Sequence, residues 1–186
     1  MIFIVNSLSR HLASGVRVHT GFVLLLLTSI ILGAGSLHAE LKVGDPSPVW
    51  AHYDLSAGTI PPTAGKVVLL DFWASWCPPC KASFATYSRI QQEFHDAGLV
   101  IVAVGVDDSL AAHTSFLQKL KPTFSVVHDR TKSLVKKVKV KSMPTAYLIG
   151  RDGKVRSIHV GFLGRETEKV MREEIVALLE EKAPTP

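Results

Sequence analysis

Two cysteines, Cys77 and Cys80, are the only thiols in this chain of 186 residues, and two residues separate them. A disulfide between residues this close in sequence closes too short a loop to stabilise a fold much. Such spacing is typical of redox chemistry or of metal binding. In disulfide exchange the thiolate is the nucleophile, so a working cysteine must be exposed and have a lowered pKa.

The elements around the cysteines favour the redox interpretation. An apolar run at residues 66–73 predicts a central strand buried on both faces, and apolar residues at helical spacing predict a helix over residues 81–96. Cys77 would then lie at the helix start, where free N–H groups and the helix dipole lower its pKa. Prolines are tolerated in that first turn. We therefore expect Cys77 to be the exposed attacking thiol and Cys80, one turn later, to be the resolving thiol.

Asp71 interrupts the apolar strand that precedes the cysteines. Desolvation raises the pKa of a buried carboxyl group, so this acid would be able to exchange protons near neutral pH. It is a candidate catalytic acid–base. The alternative is an inert buried acid that is hydrogen-bonded to backbone or water.

The remaining pattern alternates strands and helices and predicts an α/β fold with a central mixed β-sheet flanked by helices. Residues 40–65 predict an N-terminal extension with a hairpin or an irregular strand. Strands are predicted at residues 99–106, 124–127, 146–149 and 155–160, and helices at 109–120, 132–138 and 164–181.

An uncharged apolar run at residues 22–35 follows two arginines, which is a secretory signal pattern. If it is not cleaved, a helix over residues 16–37 would be about 30 Å long and would cross a bilayer. The arginines would hold the N-terminus in the cytoplasm. We therefore predict a signal peptide or membrane anchor at residues 1–39 and a periplasmic or otherwise extracytoplasmic domain at residues 40–186.

The stretch from Asp71 to Lys81, which reads Asp-Phe-Trp-Ala-Ser-Trp-Cys-Pro-Pro-Cys-Lys, resembles the active site of thioredoxins. Residues 41–182, with their N-terminal extension and an extra helix and strand between Ser109 and Val127, are similar to extracytoplasmic disulfide reductases of the TlpA and ResA type. The resemblance implies a thioredoxin-like fold. It also implies that the acid at Asp71 helps to deprotonate the buried thiol, although the lysine partner found in thioredoxins is not evident.

A second motif, Met143-Pro144-Thr145, resembles the cis-proline loop that faces the cysteine pair in that fold. The backbone before such a proline can pair with an extended substrate strand. With Trp76, whose ring would extend an apolar surface beside Cys77, these three residues are our predicted substrate-binding set. Trp73 would either share that surface or belong to the core.

The resemblance implies a reductase that acts on disulfides of exported proteins, apocytochrome c among them, and that receives electrons from a membrane donor. An oxidase or isomerase would use the same chemistry in the other direction. A typical oxidase of this fold carries a large helical insertion, and the shorter insert here favours reduction. A copper chaperone of the same fold is a third alternative, but such proteins have one more residue between their cysteines.

Bulk composition limits the other functions. A net charge of +5, with 20% charged residues, is too mild for the basic stripe of a nucleic-acid-binding protein. His113, His128 and His159 show no spacing typical of metal ligands. We therefore expect no nucleic-acid partner, no metal ion and no cofactor.

Overall fold

The computed structural model describes residues 40–182, which form one mixed sheet flanked by helices. The strands are β1 (Leu55–Ser56), β2 (Val67–Trp73), β3 (Leu99–Gly105), β4 (Ser125–Asp129), β5 (Thr145–Ile149) and β6 (Val155–Val160). The α-helices are α1 (Pro78–Phe94), α2 (Leu110–Leu120), α3 (Ser133–Val138) and α4 (Arg165–Glu180), and a 3₁₀ turn covers Trp50–His52.

Strand β2 lies inside the sheet, whose order is β1-β4-β3-β2-β5-β6. It runs parallel to β3 and antiparallel to β5. All seven residues of β2 are buried, including Asp71. The prediction of a central strand buried on both faces is therefore confirmed.

The strand register brings three loops together at one end of the central strands. Trp73, the last residue of β2, is paired with Gly105, the last residue of β3. Phe72 is paired with Thr145, the first residue of β5. Three loops therefore meet at the carboxyl ends of β2 and β3: the loop that leads to Cys77, the loop after β3 and the loop that ends at Pro144. Open α/β sheets usually bind their ligands at this end of the strands.

The extra helix and strand predicted between β3 and α3 are present as α2 and β4. Helix α2 begins after Ser109, whose hydroxyl accepts a hydrogen bond from Ala112 N at 3.3 Å, as the sequence predicted. Strand β4 adds to the sheet parallel to β3. The N-terminal extension forms the short edge strand β1, antiparallel to β4, so the irregular strand rather than a hairpin is what forms.

Trp73 belongs to the core. It is fully buried, its ring stacks on Phe116 of α2 at 4.6 Å between centroids, and it meets Phe84 of α1 at 4.8 Å. These contacts pack α2 against the end of β2. Trp73 therefore does not share an exposed surface with Trp76.

The predictions for residues 1–39, including an anchor at residues 16–37, lie outside the described residues. Within residues 40–182, none of the helices has both the length and the apolar character that a membrane crossing requires.

Candidate active site

Cys77 and Cys80 are joined by a disulfide with an S–S distance of 2.06 Å. Cys77 is the residue that caps the N-terminus of α1, and Pro78 is the first residue of the helix. The Cys77 sulfur accepts a hydrogen bond from Cys80 N at 3.3 Å. The sulfur therefore lies at the positive end of the helix dipole, as the sequence predicted.

The expectation of an exposed Cys77 is wrong for this disulfide form. Cys77 is 4% exposed and Cys80 is fully buried, so the order of exposure is as predicted but the accessible fraction is small. The bond holds the first sulfur against the second, which is part of the core. Cys77 is reached through a groove of about 550 Å³, whose other lining residues are Ser75, Trp76, Pro78, Lys81, Phe116, Lys119 and Leu120.

Asp71 is fully buried, and burial raises the pKa of its carboxyl group well above the usual value near 3.8. The Tyr87 hydroxyl donates to its Oδ1 at 3.3 Å, which partly offsets this rise in pKa. Oδ2 has no hydrogen-bond partner among residues 40–182. Tyr87 and Cys80 both lie on the buried face of α1, so Asp71 lies beneath the helix that carries the second cysteine.

Tyr87 is a site residue that the sequence did not reveal. Tyr87 is one of the residues whose helical spacing predicts the helix over residues 81–96, which indicates that its ring is buried. Which group its hydroxyl contacts depends on how α1 crosses β2. Burial and the neighbouring Asp71 raise the pKa of Tyr87 well above 10, so its hydroxyl stays protonated and remains a donor. Tyr87 is thus the hydrogen-bond partner of the buried Asp71 carboxyl group.

Asp107 is a second residue that sequence reasoning missed. Its carboxylate is 2% exposed and accepts hydrogen bonds from Ser75 N at 3.0 Å and from the Ser75 hydroxyl at 2.7 Å. Ser75 comes two residues before Cys77. Asp107 therefore fixes the backbone that leads into the redox pair, from a loop 32 residues later in the chain.

Two histidines far apart in sequence pack together behind this loop. The rings of His113 and His128 are both buried, with centroids 4.8 Å apart, and His128 Nε2 donates to the carbonyl oxygen of Asp107 at 2.8 Å. Burial of the His113 ring is the main cause that lowers its pKa to about 4, and the charge of His128 is a smaller cause. A Cβ at Gly105 would lie 2.4 Å from His113 Nδ1, so the end of β3 must be glycine for the ring to fit. Within residues 40–182 no group of three or more His, Cys, Asp or Glu side chains is arranged so that it could hold a metal ion.

The Met143–Pro144 peptide bond is cis, as the motif predicted. Pro144 and Thr145 are buried and Met143 is half-buried. The carbonyl oxygen of Pro144 accepts from Gly161 N at 2.8 Å, which ties this loop to the end of β6. The register places this loop at the same end of the strands as the cysteine pair. The role of the loop in substrate binding stays a prediction.

Trp76 is 69% exposed and lies on the groove beside Cys77. Val160 and Leu163, which flank Gly161, are 70% and 81% exposed. Sequence reasoning did not single out these two aliphatic residues, because one ends a strand and the other lies in the loop before α4. The substrate-binding role of Trp76 also stays a prediction.

Comparison with known proteins gives the same result as the geometry. The redoxin family model matches residues 42–175. The chain is 33% identical over 128 residues to the thiol–disulfide oxidoreductase ResA of Oceanobacillus iheyensis, which covers 66% of this chain and 67% of that protein. A crystal structure assigned as the thiol:disulfide interchange protein DsbE of Chlorobium tepidum superposes with a TM-score of 0.66 at 33% identity, covering 75% of this chain and 99% of that one.

The exposed lipoprotein thioredoxin of Streptococcus pneumoniae superposes with a TM-score of 0.55 at 29% identity, covering 62% of this chain and 87% of that one. The fold, the disulfide at the start of α1 and these relatives agree with one another. The chain belongs to the redoxin family, as a thioredoxin-like thiol–disulfide oxidoreductase of the TlpA and ResA type.

Proposed function

We propose that this oxidoreductase reduces disulfide bonds of exported proteins. The observation that carries the proposal is the position of Cys77 as the cap of α1, bonded to Cys80 and reached from a surface groove. In the dithiol form, the same position stabilises a thiolate on Cys77 through the Cys80 N–H group and the helix dipole.

The reaction has two displacement steps. The Cys77 thiolate attacks one sulfur of the substrate disulfide, and the other substrate sulfur leaves as a thiolate. The Cys80 thiolate then attacks the Cys77 sulfur of this mixed disulfide, which releases the second substrate sulfur and forms the Cys77–Cys80 bond. Two electrons pass from the protein dithiol to the substrate, and the two substrate thiolates take up protons.

Asp71 is suited to the second step. Cys80 is buried and must lose its proton before it attacks, while the Asp71 carboxyl group lies under the same helix with a raised pKa. A carboxyl group whose pKa is raised toward neutrality exchanges protons with a thiol more readily than an ordinary aspartate. We therefore assign Asp71 the role of acid–base partner of Cys80, in which the ionised carboxylate takes the proton of the thiol.

The proposed location is extracytoplasmic, and the proposed electron donor is a membrane protein. The N-terminal signal pattern supports export of residues 40–186, with residues 16–37 as an anchor if the segment is retained. The pneumococcal relative is described as an exposed lipoprotein. Apocytochrome c, and hence cytochrome c maturation, is the proposed substrate route, and the substrate contacts proposed are Trp76, Met143, Pro144 and Thr145.

Trapping and redox measurements test this function. Cys80→Ser should accumulate mixed disulfides with substrate, whereas Cys77→Ser should accumulate none, and alkylation of the reduced protein at mildly acidic pH should label Cys77 first. A reductant should have an equilibrium potential against glutathione near about −270 mV, and an oxidant one near about −120 mV. First labelling of Cys80 would reverse the assigned roles, and a potential near the oxidant value would contradict reduction.

A further inference from the structure

The groove beside Cys77 has walls from two helices. The first turn of α1 contributes Pro78 and Lys81, and α2 contributes Phe116, Lys119 and Leu120. The three α2 residues follow i, i+3, i+4 spacing and therefore lie on one helix face. One wall of the groove thus belongs to the inserted helix, the part of this chain that extends the thioredoxin framework.

The charge in this groove is positive. Lys81 and Lys119 are exposed, and neither forms an ion pair with a carboxylate of residues 40–182. The residues that line the groove include no acid. Asp107, which contacts Ser75 of this lining, is buried and holds that residue by hydrogen bonds. The N-terminus of α1 adds the positive end of its dipole.

The remaining lining is apolar and includes the exposed ring of Trp76. A groove of about 550 Å³ falls in the size range of small-ligand sites, about 300–1,000 Å³. When a substrate cysteine is bonded to Cys77, the substrate residues next to that cysteine lie within reach of this groove, because Cys77 is part of its lining and successive residues are only about 3.6 Å apart along the chain.

We propose that this groove selects substrates that carry acidic residues next to their reactive cysteine. The proposal rests on the disulfide exchange proposed above and adds a substrate class to it. Lys81 and Lys119 attract the flanking carboxylates, and the apolar wall formed by Trp76, Phe116 and Leu120 receives the neighbouring apolar atoms. Charges placed beside a site raise the association rate of oppositely charged ligands by about tenfold or more at low salt.

Two disulfide-linked peptide dimers test the proposal. They are identical except that the cysteine is flanked on both sides by Asp in one and by Lys in the other. The reduced full-length protein is mixed with each dimer, and the rate constant of peptide reduction is measured by quenched-flow chromatography. Each rate constant is divided by the rate constant for reduction of the same dimer by dithiothreitol, a reagent without charged substituents. This division is needed because acidic neighbours raise the pKa of the leaving thiol and so slow its exchange with any thiol.

For the wild-type protein at low salt, we expect the corrected rate for the Asp peptide to exceed that for the Lys peptide about tenfold. Lys119→Gln should reduce this ratio several-fold, and Lys119→Glu should reduce it further. Lys154→Gln makes the same charge change at the opposite end of the sheet, in the turn after β5, and should leave the ratio unchanged.

Equal corrected rates for the two peptides would overturn the substrate preference but not the proposed function. An equal loss in Lys154→Gln and Lys119→Gln would also overturn the preference, since it would show an effect of net charge and not of the groove. A reduced protein that exchanges with neither peptide would overturn the proposed function, and the preference with it.

Discussion

Asp71 combines two properties that rarely occur together, an ionisable carboxyl group and complete burial in an apolar strand. Burial of an ionised carboxylate is costly, so the pKa of the group shifts upward and its protonated form persists to a higher pH than in a free aspartate. The Tyr87 hydroxyl is its one hydrogen-bond partner in residues 40–182. This arrangement costs stability at neutral pH, which makes a purely structural purpose a poor explanation for it.

Asp71→Asn should therefore stabilise the fold at neutral pH and slow the reaction. Because the folded-state pKa of Asp71 is raised, folding takes up a proton above pH 3.8, and stability falls as pH rises toward that raised pKa. The gain from Asn should thus be largest at pH 8 and should vanish near pH 3.8. Thermal melts of both redox forms and stopped-flow exchange rates from pH 5 to 9 measure these effects.

Tyr87→Phe is the matched control, since it keeps the acid but removes the hydrogen bond that lowers its pKa. It should shift the pH profile of exchange upward, whereas Asp71→Asn should flatten it. Exchange rates that are the same in wild type and Asp71→Asn at every pH would make Asp71 a structural acid.

The residues that the sequence identified are those with a local signal. Cys77, Cys80 and Pro144 lie in short motifs, and Asp71 breaks an apolar run. Tyr87 and Asp107 have no such signal, because each acts through a contact with a residue 16 or 32 positions away. Those contacts depend on helix crossing and loop position, which a single sequence does not determine.

At the scale of elements, periodicity predicted each α-helix and each of the longer strands of residues 40–182, with boundaries close to those observed. Helix α1 begins at Pro78, directly after Cys77, as the prediction of Cys77 at the helix start and of prolines in the first turn required. The apolar spacing shows the helix only from residue 81 onward. The two-residue strand β1 was harder to predict. It forms only because β4, which lies about 70 residues further along the chain, leaves an edge for it to join.

Arg151 connects three elements at the end of the strands that lies opposite the cysteine pair. Its guanidinium donates to the carbonyl oxygens of Gly65 at 3.2 Å, Ala97 at 3.2 Å and Leu179 at 3.0 Å. These residues lie just before β2, just before β3 and at the end of α4. Arg151→Ala should lower the free energy of unfolding by about 1–3 kcal/mol, because charged hydrogen bonds to carbonyls are lost.

Urea denaturation checks this prediction, with Arg130→Ala as the control. Arg130 forms an ion pair with Asp54 in which both side chains are more than half exposed, so its loss should cost less than about 1 kcal/mol. Exchange rates of Arg151→Ala should equal those of wild type at temperatures where both are folded. Equal denaturation midpoints for the two variants would contradict the bridging role of Arg151.

At the scale of the whole molecule, two buried groups make stability depend on pH with opposite signs. Burial raises the pKa of Asp71, whereas burial lowers the pKa of His113, which packs against His128 and lies 3.8 Å from an Asp107 oxygen. In a two-state domain each group acts on the same global unfolding equilibrium. The effect of His113 is therefore clearest in the Asp71→Asn background, which removes the opposing titration.

In that background we expect stability to fall as pH drops from 6.5 to 4. His113 has a folded-state pKa of about 4, against an ordinary value of 6.5, so the unfolded chain binds more protons between these values. The loss should reach about 3 kcal/mol, since one pKa unit corresponds to about 1.4 kcal/mol. Adding His113→Gln should flatten this slope, whereas adding His95→Gln, which removes an exposed histidine, should not. Denaturant titrations at several pH values measure the slope, and an equal slope with and without His113 would show that another group causes the acid sensitivity.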